Sequence, residues 1–423
     1  TASGSLAVEG NVDFGGVSIV GPGNTHISGN LTSSTAGTVD KDGSGTLTIT
    51  GSNTYPGATT VNEGILVLGS NEALGSAAGN TFVNYAATVI LDNSVMDLAD
   101  DSTANNSANI ASPESFLLAP GSTLRNLAGD NVITGDVDQA LARVPVHSGL
   151  ELWLDASNQG SLLSADGTLG NGDAIASWGD VLLGANTVAH NATQNTAALQ
   201  PIWIQSIDDL NGLSAVRFDG QASTTQGDVL AIANLGFGND VSMFFVFESA
   251  VQQNNTGSCC RPVFVGASGL AQSGYGFGPL RSNLGGGGQV RGDFPDPGDN
   301  NLTVTELAGT ADDGKFYAYS LIREGTTTNG AVIRQNGQVL GSSTIATDAT
   351  DGSGNSRETN YNVGGQANNA ARHYTGAVAE IIAFNRALGS AERQRVEDYL
   401  NAKYFSGVAG RVYVESVADS LTI

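Results

Sequence analysis

The chain has 423 residues, of which 14% are charged and 57 are glycine, and 41 Asp and Glu against 17 Lys and Arg give a formal net charge of -24. This length exceeds what one hydrophobic core usually serves and predicts at least two domains. The negative field excludes nucleic acid and anionic membranes as natural partners. The sequence has no run of 18 apolar residues, so no membrane-spanning helix is predicted. Thr1 begins without a basic, apolar leader, so we expect a mature or trimmed chain.

Residues 1–136 consist of short alternating runs that end at Gly, Asn or Asp. In residues 45–51, Leu47 and Ile49 alternate with threonines, as a half-buried strand requires. Similar runs follow at 64–69, 81–83, 88–91 and 115–118. Each strand is too short to bury its own apolar face, so the series predicts a parallel β-solenoid in which successive rungs cover one another.

One segment of this region, residues 45–69, reads GTLTITGSNTYPGATTVNEGILVLG. It resembles the autotransporter-associated β-strand repeat of secreted passenger regions in bacterial surface proteins. The resemblance implies a right-handed parallel β-helix in a protein that is secreted or held at the bacterial cell surface. The mode of anchoring stays open.

Residues 137–145 interrupt the pattern and are predicted as a linker, because Pro145 stops any short helical turn. Residues 146–405 then carry an ordered series that includes LELWLDA at 150–156, AIASWGD at 174–180, VSMFFVF at 241–247 and GAVAEIIAFNRAL at 376–388. The series is similar to the LamG-like, concanavalin A-like domain of bacterial extracellular proteins over residues 146–404. That family implies a jelly-roll sandwich of two antiparallel sheets.

A single helix is predicted from Ser390 to Tyr404, with Ser390 as N-cap and Gly407 beyond its end. Val396, Tyr399 and Leu400 follow the spacing of a buried helical face. The resemblance places such a helix after the last strand of the sandwich. The predicted fold class is therefore all-β: a β-solenoid, then a jelly-roll sandwich with one C-terminal helix.

The tail, residues 406–423, alternates again like a strand but has no predicted sheet left to join. It either starts another domain or pairs with a neighbouring molecule. Strand-like segments at both ends predict assembly into a filament by strand pairing, with Val8 and Val12 at one end and Val412 and Val414 at the other. The alternative is that both ends continue into further domains.

No catalytic residue is predicted. Glycosidases on this fold place two carboxylates close together on one strand, and a Glu-x-Asp-x-Glu run is absent. Glu248 and Glu380 are the only strand-borne candidates. We therefore expect a non-enzymatic protein.

Two kinds of binding site are considered instead. Sugar rings stack on exposed aromatic side chains, and the candidates for such platforms are Trp178, Trp203, Tyr275 and Phe294. Calcium needs several oxygens on a stiff loop, which predicts one site at Asp293, Asp296 and Asp299 and a looser one at Asp348 and Asp351. No other cofactor is expected.

The adjacent Cys259 and Cys260 cannot close a long loop on each other. They are reduced, joined in a strained bridge, or bonded to other chains. The sequence thus predicts an extracellular structural or adhesive surface protein, a β-helix stalk with a sandwich head, whose partners are copies of itself or surface glycans. The alternatives are a calcium-dependent carbohydrate-binding module and a polysaccharide-degrading glycoside hydrolase.

Overall fold

The computed structural model describes residues 5–35, 37–76, 79–84, 87–92, 111–112, 115–118, 122–128, 131–135, 137–139, 144–146, 148–164, 167–181, 190–220, 227–249, 261–267, 274–279, 288–294, 301–310, 313–345, 359–366, 372–405, 411–414 and 421–422. The chain divides into two compact units, Thr1–Pro145 with Ser406–Ile423 and Val146–Phe405. Strands dominate both units, which confirms the predicted all-β class.

The first unit is a parallel β-solenoid. Its strands before the second unit are β1 Ser5–Val8, β2 Val12–Asp13, β3 Gly16–Ile19, β4 Asn24–Ile27, β5 Leu31–Thr32, β6 Thr38–Lys41, β7 Thr46–Ile49, β8 Thr59–Val61, β9 Ile65–Leu68, β10 Asn80–Val83, β11 Thr88–Asp92, β12 Ala111–Ser112, β13 Ser115–Leu118, β14 Thr123–Ala128, β15 Asn131–Ile133 and β16 Val137–Gln139.

Equivalent strands of successive rungs pair in parallel on each face of the solenoid. Ser5 pairs with Asn24 and Thr25 pairs with Leu47, which are offsets of 19 and 22 residues. Alternate side chains point inward, so Leu47 is fully buried while Thr48 is only partly buried. The stacked rungs share one core, because no single rung could bury these residues alone.

A tight corner connects the end of each rung to the start of the next. Residues 42–45 form this corner between β6 and β7, and residues 62–64 form it between β8 and β9. A Cβ atom added to Gly43 would lie 2.0 Å from the carbonyl oxygen of Gly21 in the rung before, so the two backbones leave no room for a side chain. Asn84 of the following corner donates to Asn62, and Asn62 donates to Asp42 at 2.7 Å, so side-chain hydrogen bonds connect three successive corners.

The second unit is an antiparallel sandwich. Its strands are β17 Leu150–Asp155, β18 Leu162–Ser164, β19 Ile175–Trp178, β20 Ala192–Thr193, β21 Ile202–Ile204, β22 Ala215–Asp219, β23 Leu230–Ile232, β24 Val241–Glu248, β25 Phe264–Gly266, β26 Gly276–Pro279, β27 Gln289–Asp293, β28 Asn301–Thr305, β29 Phe316–Arg323, β30 Ala331–Gln335, β31 Gln338–Ser343, β32 Tyr361–Val363 and β33 Thr375–Phe384. Short 3-10 turns lie at Gln159–Ser161, Ala197–Leu199 and Asp208–Leu210.

These strands form two sheets. One follows the order β21-β22-β33-β24-β29-β30-β31, with β17 also paired to β33, and the other follows β18-β19-β20-β23-β32-β25-β26-β27-β28. Aromatic rings fill the core: Phe247 stacks on Tyr319 with 4.4 Å between ring centroids, and Phe264 stacks on Tyr361 at 4.9 Å. Burial of such large rings is the main stabilising contribution to a sandwich of this kind.

The helix α1, Ser390–Phe405, packs against β24 and β29 of the first of these sheets. Val396, Tyr399 and Leu400 are buried as predicted. The N-cap is Gly389 rather than Ser390, because the Gly389 carbonyl accepts from the Arg393 N–H and Glu392 accepts from the Gly389 N–H. Within the described residues, no helix has both the length and the apolar character needed to cross a membrane.

The chain after α1 returns to the solenoid as β34 Arg411–Val414 and β35 Leu421–Thr422. Thr123 pairs with Arg411, and Val132 pairs with Thr422, both in parallel. The prediction that this tail has no sheet to join is therefore wrong, because its sheet is the one that the chain left before the sandwich. In the sequence, the sandwich is inserted between β16 and β34, in a connection that has only three or four residues in earlier rungs.

Candidate functional site

The four aromatic side chains predicted as sugar platforms all lie in the sandwich core. Trp178, Trp203 and Phe294 are fully buried, and Tyr275 is 1% exposed. The Trp203 indole N–H donates to the Ala156 carbonyl at 3.0 Å. The prediction that these residues bind sugar is therefore wrong. Their rings fill the interior of the sandwich, and a buried ring offers no face to a ligand.

The described part of the predicted calcium sites does not fit a cation. Asp293 is 2% exposed, and its Oδ1 accepts a hydrogen bond of 2.7 Å from Arg291 Nε. A carboxylate neutralised by a guanidinium is a poor calcium ligand. Asp296, Asp299, Asp348 and Asp351, like Cys259 and Cys260, lie outside the described residues. Among the residues that are described, no group of three His, Cys, Asp or Glu could hold a metal ion.

Glu248 is the last residue of β24, and its carboxylate is held by an ion pair and a backbone hydrogen bond. Its Oε2 lies 3.3 Å from the Arg217 guanidinium and accepts from the Ala377 N–H at 3.0 Å. Burial raises the pKa of Glu248, against the opposing effect of the Arg217 charge. Glu380 lies among other partners and is fully buried. The two glycosidase candidates are thus engaged separately, and a polysaccharide has no access to Glu380.

Asp219 and Asp228 form a reciprocal pair in the sandwich. The Asp219 N–H donates to Asp228 Oδ2 at 2.9 Å, and the Asp228 N–H donates to Asp219 Oδ1 at 3.1 Å. Burial raises the pKa of Asp228 to about 7, and the charge of Asp219 adds to the rise while its N–H opposes it. Asp228 is consequently a buried carboxyl group that changes its charge near neutral pH.

A cluster of charged and aromatic side chains, which we term the helix cluster, lies between α1 and the sheet. Trp153 and Asp155 alternate on β17 and therefore point to one face, and Glu380 lies opposite them on β33. The remaining three members come from α1. All are at most 7% exposed. The helix cluster comprises Trp153, Asp155, Glu380, Tyr399, Lys403 and Tyr404.

Glu380 lies at the centre of the helix cluster and accepts four hydrogen bonds. Oε1 accepts from Trp153 Nε1 at 2.7 Å and from the Tyr399 hydroxyl at 2.8 Å. Oε2 accepts from Lys403 Nζ at 2.8 Å and from the Tyr404 hydroxyl at 2.7 Å. Every lone pair of this carboxylate is therefore used, which fixes the rotamers of the surrounding side chains.

Asp155 is the second acidic member of the helix cluster. Its Oδ2 lies 2.7 Å from Lys403 Nζ, and both side chains are 1% exposed. Its Oδ1 accepts from the Ser157 N–H at 2.9 Å and from the Ser157 hydroxyl at 2.6 Å. The first strand of the sandwich is in this way joined to its last helix through a buried ion pair.

The helix cluster encloses one cation and two carboxylates, so its charges do not balance. Burial raises the pKa of Glu380, although the Lys403 charge opposes this. Burial acts to lower the pKa of Lys403, but the charges of Asp155 and Glu380 outweigh it and the net direction is upward. Glu380 is thus the member of the cluster best able to take up a proton.

A cavity of about 160 Å³ lies between α1 and strands β24 and β29 of the same sheet, and no member of the helix cluster lines it. By the volume of liquid water it has room for roughly five water molecules. Its apolar lining includes Phe244, Leu400 and Phe405, and its polar lining includes Asn336 and Asn401.

Glu397 is the buried carboxylate of this cavity, and it is 7% exposed. Its Oε1 accepts from the Ser320 hydroxyl at 2.8 Å, and its Oε2 pairs with Arg393. Burial raises the pKa of Glu397, against the hydrogen bond from Ser320. An apolar floor with amides and one buried carboxylate is the usual composition of a small-ligand pocket.

Sequence reasoning missed Lys403 and Glu397. A lysine or glutamate on a surface helix normally reaches solvent, and nothing near either residue in sequence indicates its partners. The available signal was the unexplained pair of carboxylates in apolar strands, Asp155 and Glu380. Buried carboxylates need a cation, and the helix that follows the last strand is the nearest source of one.

The Passenger-associated-transport-repeat family model matches residues 39–68. These 30 residues overlap the segment that resembles an autotransporter-associated repeat, so that part of the resemblance is confirmed. The LamG-like part stays a prediction. The repeat indicates a bacterial surface or secreted protein. No curated protein matches the chain.

Solved structures give distant likenesses. A Trypanosoma rangeli sialidase is 15% identical, with 62% of this chain and 34% of that chain covered and a TM-score of 0.32. The botulinum neurotoxin serotype D binding domain is 10% identical, with 59% and 50% covered and a TM-score of 0.34. The Ruminococcus gnavus IT-sialidase CBM40 bound to alpha2,6 sialyllactose is 10% identical, with 38% and 84% covered and a TM-score of 0.28.

The chain thus spans a third of the sialidase and half of the neurotoxin chain. Likenesses at these identities and TM-scores say nothing about function.

Proposed function

We propose that the chain is a non-enzymatic structural or adhesive protein of the bacterial cell surface, in which the β-solenoid presents the sandwich. The observation that carries this proposal is the pairing of β34 with β14, by which the solenoid resumes after the sandwich. A solenoid that continues through an inserted domain can act as a stalk without ending where its cargo begins. The matched repeat at residues 39–68 supports an exported location.

Cell labelling tests the location. Antibodies raised against residues 146–405 should label intact cells that produce the protein, and protease added outside those cells should remove the label. A cytoplasmic protein made by the same cells serves as the control and should stay unlabelled. Labelling that requires permeabilised cells would contradict the proposal.

The absence of catalysis is supported by the engagement of Glu248 with Arg217 and by the enclosure of Glu380. The competing proposal of a glycoside hydrolase has a direct test. Purified protein incubated with polysaccharides should release no reducing sugar. Release that is lost in a Glu248→Gln variant would establish the hydrolase instead.

A second candidate function is glycan binding, and the cavity beside α1 is the observation that favours it. Asn401 and Asn336 can exchange hydrogen bonds with hydroxyl groups while Phe405 contacts the apolar face of a sugar ring. Calorimetric titration with a panel of monosaccharides tests this. Binding should be lost in Asn401→Ala and kept in Gln338→Ala, which alters an exposed amide that does not line the cavity.

Calcium dependence stays a proposal for Asp296 and Asp299 of the first predicted loop and for the loop at 348–355. Millimolar calcium should raise the melting temperature if either loop binds the ion, because a ligand that binds only the folded state stabilises it. An unchanged melting temperature would count against both loops. Chelation during the monosaccharide titration separates a calcium-dependent glycan site from an independent one.

We also propose that copies of the chain associate through β1 and β34, the edge strands of the seven-stranded sheet. Val8 on β1 is only partly buried, as is Val12 on the neighbouring strand β2, and Val412 and Val414 lie on β34. Leu6 on β1 is 57% exposed. Light scattering should show oligomers that Leu6→Lys abolishes and Val20→Lys retains, because Val20 is exposed at a corner and not on an edge strand. Monomers at all concentrations would contradict self-association.

A further inference from the structure

The pairing of Lys403 with Asp155 has the geometry of two reactants. Nζ and Oδ2 are 2.7 Å apart, and each side chain is 1% exposed. Hydrogen-bonded contact holds the amine and the carboxyl carbon near the separation at which a nucleophile attacks. We propose that Lys403 and Asp155 condense into an intramolecular isopeptide bond that joins β17 covalently to α1.

The condensation balances without any further reactant. The Nζ lone pair of Lys403 forms a bond to Asp155 Cγ, and the bond from Cγ to Oδ2 breaks. Oδ2 leaves as water, carrying two protons that were on Nζ at the start. Oδ1 remains as the amide oxygen, and one proton remains on the amide nitrogen. No electron is gained or lost, so no oxidant is needed.

Glu380 moves the protons in this scheme. Its Oε2 lies 2.8 Å from Lys403 Nζ, within reach of the proton that the ammonium must lose before it can attack. Burial raises the pKa of Glu380, which favours its uptake of that proton, while the charges of Asp155 and Glu380 raise the pKa of Lys403 and oppose its release. The protonated carboxyl group delivers this proton to Asp155 Oδ2 as Nζ attacks. It then takes the second proton from the nitrogen and passes it to the same oxygen, which departs as water. Glu380 is therefore a catalytic residue of the bond-forming step.

Ser157 stabilises the oxygen on which negative charge develops. When Nζ attacks Cγ, the charge moves to Oδ1, which already accepts from the Ser157 N–H at 2.9 Å and the Ser157 hydroxyl at 2.6 Å. Two donors aimed in advance at such an oxygen lower the barrier to acyl transfer. The backbone turn after β17 thus supplies an oxyanion site.

The enclosed site also makes the condensation favourable overall. In water an amine and a carboxylate remain as ions, because solvation stabilises both charges. Here both are removed from solvent, and fixing two groups in contact is equivalent to an effective concentration of about 10⁵ M or more. Water released by the step does not readily return to a site with 1% exposure.

Asp155 is a better acyl donor than Glu380. All four acceptor positions of Glu380 are occupied, two of them by tyrosine hydroxyls and one by the Trp153 indole, so either of its oxygens would break further hydrogen bonds on leaving. Asp155 Oδ2 accepts only from Lys403 among the residues that the structure describes. It can therefore leave without breaking any other hydrogen bond.

Intact mass spectrometry of the full chain under denaturing conditions tests the proposal. The folded, purified protein should weigh less than its sequence by one water molecule, and digestion should yield a branched peptide that joins Lys403 to Asp155. Lys403→Arg and Asp155→Ala should show the full sequence mass. The wild-type measurement decides by itself, even where a variant fails to fold.

Glu380→Gln isolates the catalytic step. The amide that this substitution introduces preserves the shape of the side chain but cannot relay protons, so a variant folded by circular dichroism should keep the full sequence mass. A cross-link that still forms in this variant would remove Glu380 from the mechanism. Full sequence mass in the folded wild type, or a water loss mapped to other residues, would overturn the isopeptide bond itself.

Discussion

Thr123 pairs with Arg411 in one parallel sheet, although the whole sandwich lies between them in the sequence. The solenoid therefore resumes its rungs after residue 405. An insertion of this kind requires that each unit fold around its own core, because the two cores share no strand.

The first prediction concerns this independence. Replacing residues 146–405 by a short Gly/Ser linker brings the corner closer to the length that earlier corners have, so the solenoid should retain its β-type circular dichroism and a cooperative unfolding transition. Residues 146–405 produced alone should also unfold cooperatively. Loss of structure in both fragments would show that the units depend on each other.

The second prediction concerns the close approach of two backbones at a solenoid corner, where Gly43 lies. Gly43→Ala should lower the free energy of unfolding by about 1–3 kcal/mol, because the new Cβ would meet backbone that cannot move aside easily. Gly10→Ala is the matched control, since no atom lies within 4 Å of a Cβ at that position. Urea denaturation measures both, and equal effects would contradict the close approach of the rungs.

The buried tryptophans give a third prediction. Trp203→Ala should cost about 3–5 kcal/mol of unfolding free energy, as large-to-small changes in a core do, and should reduce binding of any glycan only through unfolding. Leu163→Ala, at a residue 55% exposed, should change stability by less than about 0.5 kcal/mol. A stable Trp203→Ala protein that has lost glycan binding would restore this residue as a platform.

The fourth prediction is a pH dependence. Burial raises the pKa of Asp228 to about 7, whereas the value in the unfolded chain is 3.8. Between these two pH values the folded state binds more protons than the unfolded state, so stability falls as the pH rises from 3.8 to about 7. Asp228→Asn removes the charge while keeping an oxygen for the Asp219 N–H. At pH 8 the variant should be more stable than the wild type by about 2 kcal/mol after allowance for solvent screening.

Below about pH 3 the two proteins should differ least in stability, because the wild-type carboxyl group is then largely neutral in both states. Asp208→Asn, an exposed substitution in the same unit, should change stability by less than about 0.5 kcal/mol. Thermal melts from about pH 3 to pH 8 supply the comparison. A constant difference between wild type and Asp228→Asn across this range would contradict the titration.

The sequence predicted what depends on local pattern. Alternation of Leu47 and Ile49 with threonines identified a strand, and the spacing of Val396 and Leu400 identified a buried helical face. The return of Arg411 to Thr123 could not be predicted, because parallel pairing across an insertion leaves no local pattern.

The burial of individual side chains could not be predicted from the sequence either. An apolar ring such as Trp178 suits a core and a binding platform equally in sequence, and only the position of the second sheet decides between them. Lys403 meets Asp155 because a helix and a strand pack together from opposite ends of the sandwich, and their separation in sequence hides that contact.

The corner between β16 and β34 has counterparts at residues 20–23 and 42–45 that join the same two faces of the solenoid. The inserted domain has its first strand and last helix held together by Asp155 and Lys403, and β34 pairs with β14 without a shift of register. Under the proposed function, a different domain inserted at the same point of the sequence would leave the pairing of the solenoid rungs unchanged.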